Sequence, residues 1–204
     1  MSEAAFPRSY AVTSRNDRCT ISGMAVPTDE ELAASAIRGD ARAMETLVTR
    51  FLKPVHAVCR RIVREPALAE DASQETFMAA FRKLESYRPD RRFAPWIFTI
   101  AARVSYNLIR TRQRSRRHEE EVPIPSVNDP ASGPLEMRES LASLKAAMVD
   151  LPERDSVALY MRFKQDLTND EIAEALNLPH GTVRVLLCRA LAKLHARLDR
   201  ELIQ

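Results

Sequence analysis

Apolar residues recur every three or four positions along most of this chain, which is the spacing of one face of an α-helix. The clearest stripe predicts a single long helix, with Pro54 inside it as the expected site of a bend. Its members are Met44, Leu47, Val48, Phe51, Val55, Val58, Cys59 and Ile62. Alternating runs typical of strands are lacking, and only four glycines occur in 204 residues. The pattern therefore predicts an all-α fold.

Four amphipathic helices are predicted between residues 28 and 114. A short helix begins at a capping box, Thr28 with Glu31, and the long helix follows Asp40 as its N-cap. A third helix is expected over 66–84 and a fourth from about Pro95. The predicted buried side chains of these two are Leu68, Ala72, Phe77, Ala80, Phe81 and Leu84, then Ile97, Ile100, Ala101, Val104 and Leu108. Four such helices make one compact bundle.

The helical pattern stops over residues 115–134, where SRRHEEEVPIPSVNDPASGP contains four prolines and no apolar stripe. This composition is typical of a semi-extended linker. A second helical block is predicted over 135–204, so the architecture is two small helical domains joined by a flexible linker. Its apolar stripes are Leu141, Leu144, Met148 and Leu151, then Val157, Tyr160, Met161 and Phe163, and finally Ala190, Leu191, Leu194 and Leu198. Residues 1–27 are predicted to be a disordered tail, and the sequence does not decide between Met1 and Met24 as the start.

The segment LTNDEIAEALNLPHGTVRVLL, residues 167–187, predicts a helix-turn-helix. Thr168 with Glu171 forms a second capping box, so a helix begins there. Asn177 tolerates the left-handed conformation that a sharp turn requires, and Pro179 suits the first turn of the second helix. In DNA-binding examples the second helix enters the major groove, where its N-terminal residues reach base edges. The alternative is an ordinary helical hairpin within a core.

Charge and cysteine content set limits on the class of protein. A net charge of +3 is too small to indicate nucleic acid by itself, but five arginines crowd together over 110–117. Cys19, Cys59 and Cys188 are odd in number and far apart, which favours a reducing compartment. His56 with Cys59 has no second ligand pair, so we expect neither a metal nor a cofactor. No apolar run approaches the ~20 residues of a membrane span, and no secretory signal precedes the bundle, so a cytoplasmic protein is expected.

Taken together, these features resemble the extracytoplasmic-function (ECF) class of bacterial RNA polymerase sigma factors. The matching stretches are LAEDASQETFMAAFRKL and RRFAPWIFTIAARVSYNLIR in the first block, and LPERDSVALYMRF with the helix-turn-helix in the second. The resemblance spans about residues 28–200. It implies that residues 28–114 are sigma region 2, which binds and melts the −10 promoter element, and that residues 135–204 are region 4, which reads the −35 element. It also implies a protein without catalytic activity of its own.

The third helix carries a polar face opposite its apolar stripe. A solvated surface is the ordinary explanation, yet a methionine beside an amide and two carboxylates is also typical of a helix-docking surface. The resemblance implies that this face binds the β′ clamp helices of core polymerase. Its residues are Asp71, Gln74, Glu75, Met78 and Arg82.

The fourth helix and the loop before it carry aromatic and basic residues that suit unpaired DNA. Aromatic rings offer stacking platforms for bases, and arginines neutralise phosphates. The resemblance implies that the loop over 87–93 captures a base flipped out of the duplex, which costs a few kcal/mol of stacking. The predicted −10 and melting residues are Tyr87, Arg91, Arg92, Phe93, Trp96, Thr99, Arg103, Tyr106, Asn107, Arg110 and Arg114. Arg103 and Asn107 stand where an Asn and an Asp are common in the family, which bears on the promoter sequence.

The second helix of the helix-turn-helix is predicted to read the −35 element. Leu186 is expected in the core, whereas Val185 and Cys188 point outward. Many family members carry a hydroxyl residue and an arginine where Val185 and Leu186 stand. Val185 offers only an apolar contact, such as one to a thymine methyl, so Arg184 is expected to make most of the direct hydrogen bonds. The predicted −35 residues are Thr168, His180, Thr182, Arg184, Val185, Cys188 and Arg189.

The linker is long enough for one chain to reach both elements. About 20 residues span at most ~65 Å when extended, and sites one to two turns of DNA apart lie roughly 35–70 Å from each other. The implied partners are core polymerase through its β′ clamp and β flap, promoter DNA, and an anti-sigma protein, with a monomer expected when the chain is free. Glu119, Glu120 and Glu121 are either a nucleic-acid mimic or a solvated patch. The alternatives are a conventional helix-turn-helix regulator and an enzyme acting on nucleic acid, and no catalytic constellation favours the latter.

Overall fold

The structure, a computed structural model, describes residues 26–116 and 151–202, with side chains described over 26–114 and 151–197. Within these residues the secondary structure is entirely helical, which confirms the predicted all-α fold. Residues 1–25 of the predicted tail, residues 117–134 of the predicted linker, and Leu141, Leu144 and Met148 of the next stripe lie outside the described residues. The helices are α1 Asp29–Ile37, α2 Ala41–Val63, α3 Pro66–Arg82, α4 Phe93–Arg116, α5 Glu153–Phe163, α6 Asn169–Leu176 and α7 His180–Leu202, with a 3₁₀ turn at Leu84–Ser86.

The first two helices begin where their caps predict. The backbone N–H of Thr28 donates to Glu31 Oε2 at 2.8 Å, and the Glu31 N–H donates back to Thr28 Oγ1 at 3.2 Å, so the capping box is complete. Asp40 accepts hydrogen bonds from the first turn of α2, and Gly39 takes a φ of +93° in the turn between the helices. The long helix α2 continues through Pro54 to Val63.

The first block has its core between α2, α3 and α4, with α1 packed on α2. The largest fully enclosed side chains are Val55, Val58, Ile62, Ile97 and Phe98. Phe98 meets Phe51 edge to face, with ring centroids 6.1 Å apart. Apolar burial of this kind supplies most of the stability of a small helical domain, because short isolated helices are marginal in water.

Two predictions about α3 were wrong in detail. Helix α3 ends at Arg82, so Leu84 is buried from the 3₁₀ turn and not from the helix. Phe81, predicted as core, is 38% exposed. Apart from Phe77, the buried side of α3 is built from small residues, including Ala69, Ser73 and Thr76, which let it approach its neighbours closely. The larger Phe81 is left at the margin of that contact.

Helix α4 begins at Phe93, two residues before the predicted start. Pro95 therefore lies in the first turn, where its missing N–H has no intrahelical partner to lose. Val104 and Leu108, predicted as core, are only half-buried.

The second block confirms the predicted helix-turn-helix. Thr168 and Glu171 form the second capping box, with N–H to oxygen distances of 2.7 and 3.2 Å. Asn177 ends α6 in the left-handed conformation, with φ 50° and ψ 53°. Helix α7 begins at His180, so Pro179 immediately precedes the helix and does not open it. Phe163, predicted as core, is exposed, because α5 ends at this residue.

The two blocks contact each other through α5 against α2 and α6 against α4. Arg64 Nη2 donates to the carbonyl of Leu151 at 2.6 Å. The Arg61 guanidinium lies 4.1 Å from the centre of the Tyr160 ring, a cation–π distance. Because α4 packs on α6, some of the residues predicted to bind −10 DNA, such as Arg92, lie close to the second block.

Candidate nucleic-acid and polymerase interfaces

Helix α4 presents one exposed polar stripe along its length. Arg103, Asn107, Arg110 and Arg114 follow one another at helical spacing and are all exposed. Within the part of the chain that the structure describes, Arg103 and Arg110 make no ion pair or hydrogen bond through their side chains. Their charges are consequently available to phosphate groups.

The aromatic residues before this stripe form a cluster with the core. Tyr87 and Phe93 are buried, and Trp96 is half-buried against both, with ring centroids 5.2–5.4 Å apart. The Tyr87 hydroxyl donates to the carbonyl of Arg91 at 2.5 Å. Burial, with the nearby charge of Glu30, raises the pKa of Tyr87, so its hydroxyl remains a donor at neutral pH. Tyr87 and Phe93, predicted to meet DNA, are core residues in this arrangement because their rings pack under the start of α4.

Other predicted −10 residues lie at or near the contact between the blocks. Arg92 Nη1 pairs with Glu171 Oε2 at 3.0 Å and donates to the carbonyl of Asp166 at 3.1 Å. Tyr106 is half-buried, with the Arg154 guanidinium 6.0 Å from its ring centre. Arg91 is exposed, and Thr99 Oγ1 donates to the carbonyl of Pro95, as an interior helical threonine commonly does.

The predicted docking face on α3 is open. Asp71, Gln74, Met78 and Arg82 are exposed and Glu75 is half-buried. Arg82 Nη2 pairs with Glu75 Oε1 at 2.5 Å, two helical turns apart. Met78 is 53% exposed, so a flexible apolar side chain lies within a charged surface. That combination suits a partner helix which has its own charges around an apolar centre.

Apart from Thr168, the predicted −35 residues lie on α7. Arg184, Val185 and Cys188 are exposed, and Val185 is 63% exposed. His180 Nδ1 lies 2.8 Å from Asp170 Oδ1, which joins the two helices of the helix-turn-helix. Thr182 is half-buried, and Val183, Leu186 and Leu187 fill the core as predicted.

Thr168 and Arg189 have structural partners that the sequence does not show directly. The Thr168 oxygen accepts the Glu171 N–H, so this hydroxyl is a helix cap first. Arg189 pairs with Asp155 through two bonds, Nε to Oδ2 at 3.1 Å and Nη2 to Oδ1 at 2.5 Å. This hydrogen bonding raises the pKa of Arg189 further, so it stays cationic. Lys193 Nζ lies 3.7 Å from the same carboxylate.

Asp155 was not predicted from the sequence to have a structural role, although it is fully buried. An acidic residue in the first turn of a helix is usually explained by the helix dipole alone. Arg189 is 34 residues away in the sequence, so no local pattern predicts that the two side chains pair. Only the packing of α5 on α7 brings the two together.

The described residues form neither a metal-binding cluster nor a membrane-spanning helix. No group of three or more His, Cys, Asp or Glu side chains among them is arranged to hold a metal ion. No helix in the same ranges is both long and apolar enough to cross a membrane.

Comparison with known families places both blocks. The model of sigma-70 region 2 matches residues 47–115, and that of sigma-70 region 4 matches residues 141–194. Together these matches cover more than half of the chain, with region 2 before region 4, and they define a sigma factor, a transcription initiation protein. Individual relatives narrow the class: the chain belongs to the ECF group of the sigma-70 family.

Two curated relatives illustrate this group. The RNA polymerase sigma-H factor of Pseudomonas aeruginosa is 28% identical over 173 residues, which cover 79% of this chain and 89% of that protein. The ECF RNA polymerase sigma-E factor of Escherichia coli K12 is 29% identical over 173 residues, covering 80% and 90%. Nearly the whole length of each relative is therefore represented here.

Solved structures extend the likeness to three dimensions. CnrH, solved in complex with the cytosolic domain of CnrY, aligns with a TM-score of 0.59 and 27% identity over 84% of this chain and 97% of that one. The sigma factor RpoE of Bartonella quintana, solved with the anti-sigma factor NepR, aligns with a TM-score of 0.65 over 76% of this chain and 96% of that one. At 23% identity the second comparison supports the fold alone.

Proposed function

We propose that this chain binds core RNA polymerase, recognises the −35 and −10 elements of a promoter, and melts the −10 DNA to start transcription. Residues 28–114 act as region 2 and the second block as region 4. Helix α1 belongs to region 2 because Arg50 of α2 pairs with Asp29 at 2.7 Å. The protein acts in the cytoplasm, where the polymerase is, and without catalytic chemistry of its own.

The observation that carries this proposal is the open stripe on α4. Two arginines that no described residue pairs with, and an amide, lie along one side of a helix whose start is fixed by a buried aromatic cluster. The phosphates of single-stranded DNA can lie along such a stripe, while the bases contact Trp96 near the N-terminus of α4. Tyr87 and Phe93 support this region from the core.

Strand opening needs no nucleotide hydrolysis in this scheme. Unstacking a base costs a few kcal/mol, and phosphate contacts with Arg103, Arg110 and Arg114 offset that cost. Arg91 and Arg92 add positive charge beside the loop. For Arg92 to reach DNA it must leave Glu171 of the second block.

At the −35 element, α7 enters the major groove with Arg184 and Val185 toward the bases. Arg184 is exposed and supplies paired N–H donors that suit guanine. Val185 suits a thymine methyl, and His180 and Thr182 lie at the helix start, where base edges are reached first. Cys188 lies one turn beyond Arg184 on the same side.

Run-off transcription tests the proposal. Purified core polymerase would be incubated with genomic promoter fragments with and without this chain. We expect specific transcripts that disappear when Arg103 and Arg110 are both changed to Ala, and that persist in Arg42→Ala, an exposed arginine on α2. Tight duplex binding without any polymerase binding would instead indicate a conventional regulator.

The α3 face is proposed as the contact with the β′ clamp of the polymerase, while the second block is proposed to hold the β flap. Met78→Ala should weaken retention of the chain on immobilised core polymerase by about tenfold, since a central apolar anchor contributes more than rim charges. Leu52→Ala is the matched control, because Leu52 on α2 is equally exposed at 50%. Equal losses in both variants would argue against a specific surface.

An anti-sigma protein is proposed to hold this chain inactive. The Bartonella quintana RpoE was solved with the anti-sigma factor NepR, and CnrH was solved with the cytosolic domain of CnrY. A candidate that binds this chain must suppress its run-off transcription and compete with core polymerase. A candidate that binds without suppressing transcription does not fill this role.

A further inference from the structure

Asp155 is a carboxylate enclosed within the second block, with no exposed surface. It lies in the first turn of α5, where the free N–H groups of the helix favour a negative charge. Arg189 of α7 binds both of its oxygens, and Lys193, one turn further along α7, lies 3.7 Å from one of them. One buried anion therefore holds two cations of the proposed recognition helix.

Stability alone is a weak reason for a carboxylate in this place. A buried carboxylate loses its hydration, and its attraction to a cation repays that loss only in part. An apolar side chain of similar size would fill the space at lower cost. What Asp155 provides, and an apolar residue would not, is a fixed direction for the Arg189 guanidinium, because two parallel hydrogen bonds define its plane.

The pairing leaves most of the Arg189 donors unused. A guanidinium has five N–H groups, and bonds from Nε and Nη2 use one on each nitrogen. Both N–H groups of Nη1 and one of Nη2 remain, and the side chain is 50% exposed. The free side of Arg189 is thus held in one orientation and faces solvent.

Arg189 lies at the edge of the outward side of α7 and not at its centre. It follows Val185 by one turn and Thr182 by two turns, on the flank that packs toward α5. When a helix lies in the major groove, residues at its centre face the bases and those at its edges face the phosphate backbone. The position of Arg189 therefore suits a phosphate better than a base.

We propose that Asp155 is a positioning residue for −35 recognition, which orients Arg189 so that its free N–H groups bind a backbone phosphate beside the recognition helix. This inference rests on the proposed role of the second block in reading that element. A side chain that is already oriented loses less conformational freedom on binding. Arg189 and Lys193 together carry two positive charges against the one negative charge of Asp155, so this flank keeps a net charge of +1.

Asp155→Asn separates positioning from simple electrostatics, because the two predict changes of opposite sign in DNA affinity. The substitution removes a negative charge from a DNA-binding block, so charge alone would tighten binding. Positioning predicts binding about tenfold weaker, the size of one charge-assisted hydrogen bond. It also predicts a salt dependence shallower by about 0.9 in the slope of log affinity against log salt, as for one lost phosphate contact.

The measurement uses holoenzyme reconstituted with purified bacterial core polymerase. The probe is a duplex that the wild-type holoenzyme has selected from a random library, titrated at several salt concentrations. Glu174→Gln on α6 is the matched control, since Glu174 is exposed and the change in charge is the same. We expect its affinity to stay within about twofold of wild type, because exposed charges are screened.

Arg189→Lys provides a second variant that keeps the charge. A single ammonium cannot bridge both Asp155 oxygens and a phosphate, so a similar loss is expected. The double variant with Asp155→Asn should lose no more than either single variant, because both act through one contact. Thermal unfolding of each variant checks that it is folded, and if Asp155→Asn does not fold, the result for Arg189→Lys decides.

The outcomes distinguish this inference from the function on which it rests. Unchanged or tighter binding by folded Asp155→Asn overturns the positioning role, as do additive losses in the double variant. If the wild-type holoenzyme selects no duplex at all, the proposed function fails and the inference fails with it. If it selects one and Asp155→Asn binds that duplex normally, the function stands and only the positioning role is rejected.

Discussion

Removing the cap of the helix-turn-helix should destabilise the second block measurably. In Thr168→Ala, the Glu171 N–H loses its acceptor at 3.2 Å, while the return bond to the Glu171 carboxylate remains possible. Loss of an N-cap oxygen costs about 1 kcal/mol in the free energy of unfolding. For a domain of 60–100 residues, 1 kcal/mol corresponds to a fall in melting temperature of about 4–8 °C. Because α6 has only eight residues, little else within the helix offsets the loss.

The chain contains its own matched control for this prediction. Thr28 caps α1 with nearly identical geometry, and α1 belongs to the first block. Thr28→Ala should cost a similar free energy there but leave −35 binding unchanged. Circular dichroism melts and holoenzyme titrations against a −35 duplex measure the two effects. Thr168→Asn should restore stability, since Asn is an equally good N-cap.

Two results would refute this reasoning. A melting temperature of Thr168→Ala equal to that of wild type would mean that the capping box contributes nothing. Equal losses of −35 binding in Thr168→Ala and Thr28→Ala would mean that the effect is a general loss of folded protein. If Thr168→Asn recovers stability but not DNA affinity, the Thr168 hydroxyl also contacts DNA directly, as the sequence first suggested.

Three further predictions test the surfaces and the core. Arg110→Ala should reduce the salt slope for single-stranded −10 DNA by about 0.7, as one phosphate contact would, whereas Arg42→Ala should not change it. Cys188 should react with iodoacetamide at pH 8, whereas Cys59 should react only after unfolding, because burial raises the pKa of the Cys59 thiol and leaves less thiolate. Peptide mass mapping measures the labelling of each cysteine. Rapid labelling of Cys59 in folded protein would contradict its burial. Phe98→Ala should lower the free energy of unfolding by about 3–5 kcal/mol in urea melts, and a loss below about 1 kcal/mol would show that the site collapses to fill the cavity.

Features encoded by neighbouring residues could be predicted well from the sequence. Both capping boxes join residues three apart, and Asn177 adopts its left-handed conformation for local steric reasons. The helical stripe of α2 needs only periodicity. These elements fix the fold class and the helix-turn-helix, so the family could be recognised before the structure was known.

Burial of individual aromatic residues could not be predicted in the same way. Phe81 and Phe163 looked like core because they are apolar and suitably spaced, yet each lies at a helix end where none of the described residues covers it fully. Tyr87 and Phe93 looked like DNA contacts because they lie in a loop before a basic helix. Their burial depends on α1 as well, since the Phe93 N–H donates to Glu30 at 3.0 Å. Such contacts join distant segments and leave no local pattern.

The contact between the two blocks bears directly on how the proposed function begins. Two promoter elements one to two turns apart lie roughly 35–70 Å from each other, whereas Arg92 of the first block touches Glu171 of the second. Both elements can be engaged by one chain only if this contact opens. The Arg92–Glu171 pair is partly exposed, and an exposed pair contributes at most about 1 kcal/mol. Polymerase and DNA must also separate Arg64 from Leu151 and Arg61 from Tyr160. We propose that Arg92, once released, exchanges a carboxylate for the phosphates of the −10 strand, while Glu171 keeps its second role in the cap that begins α6.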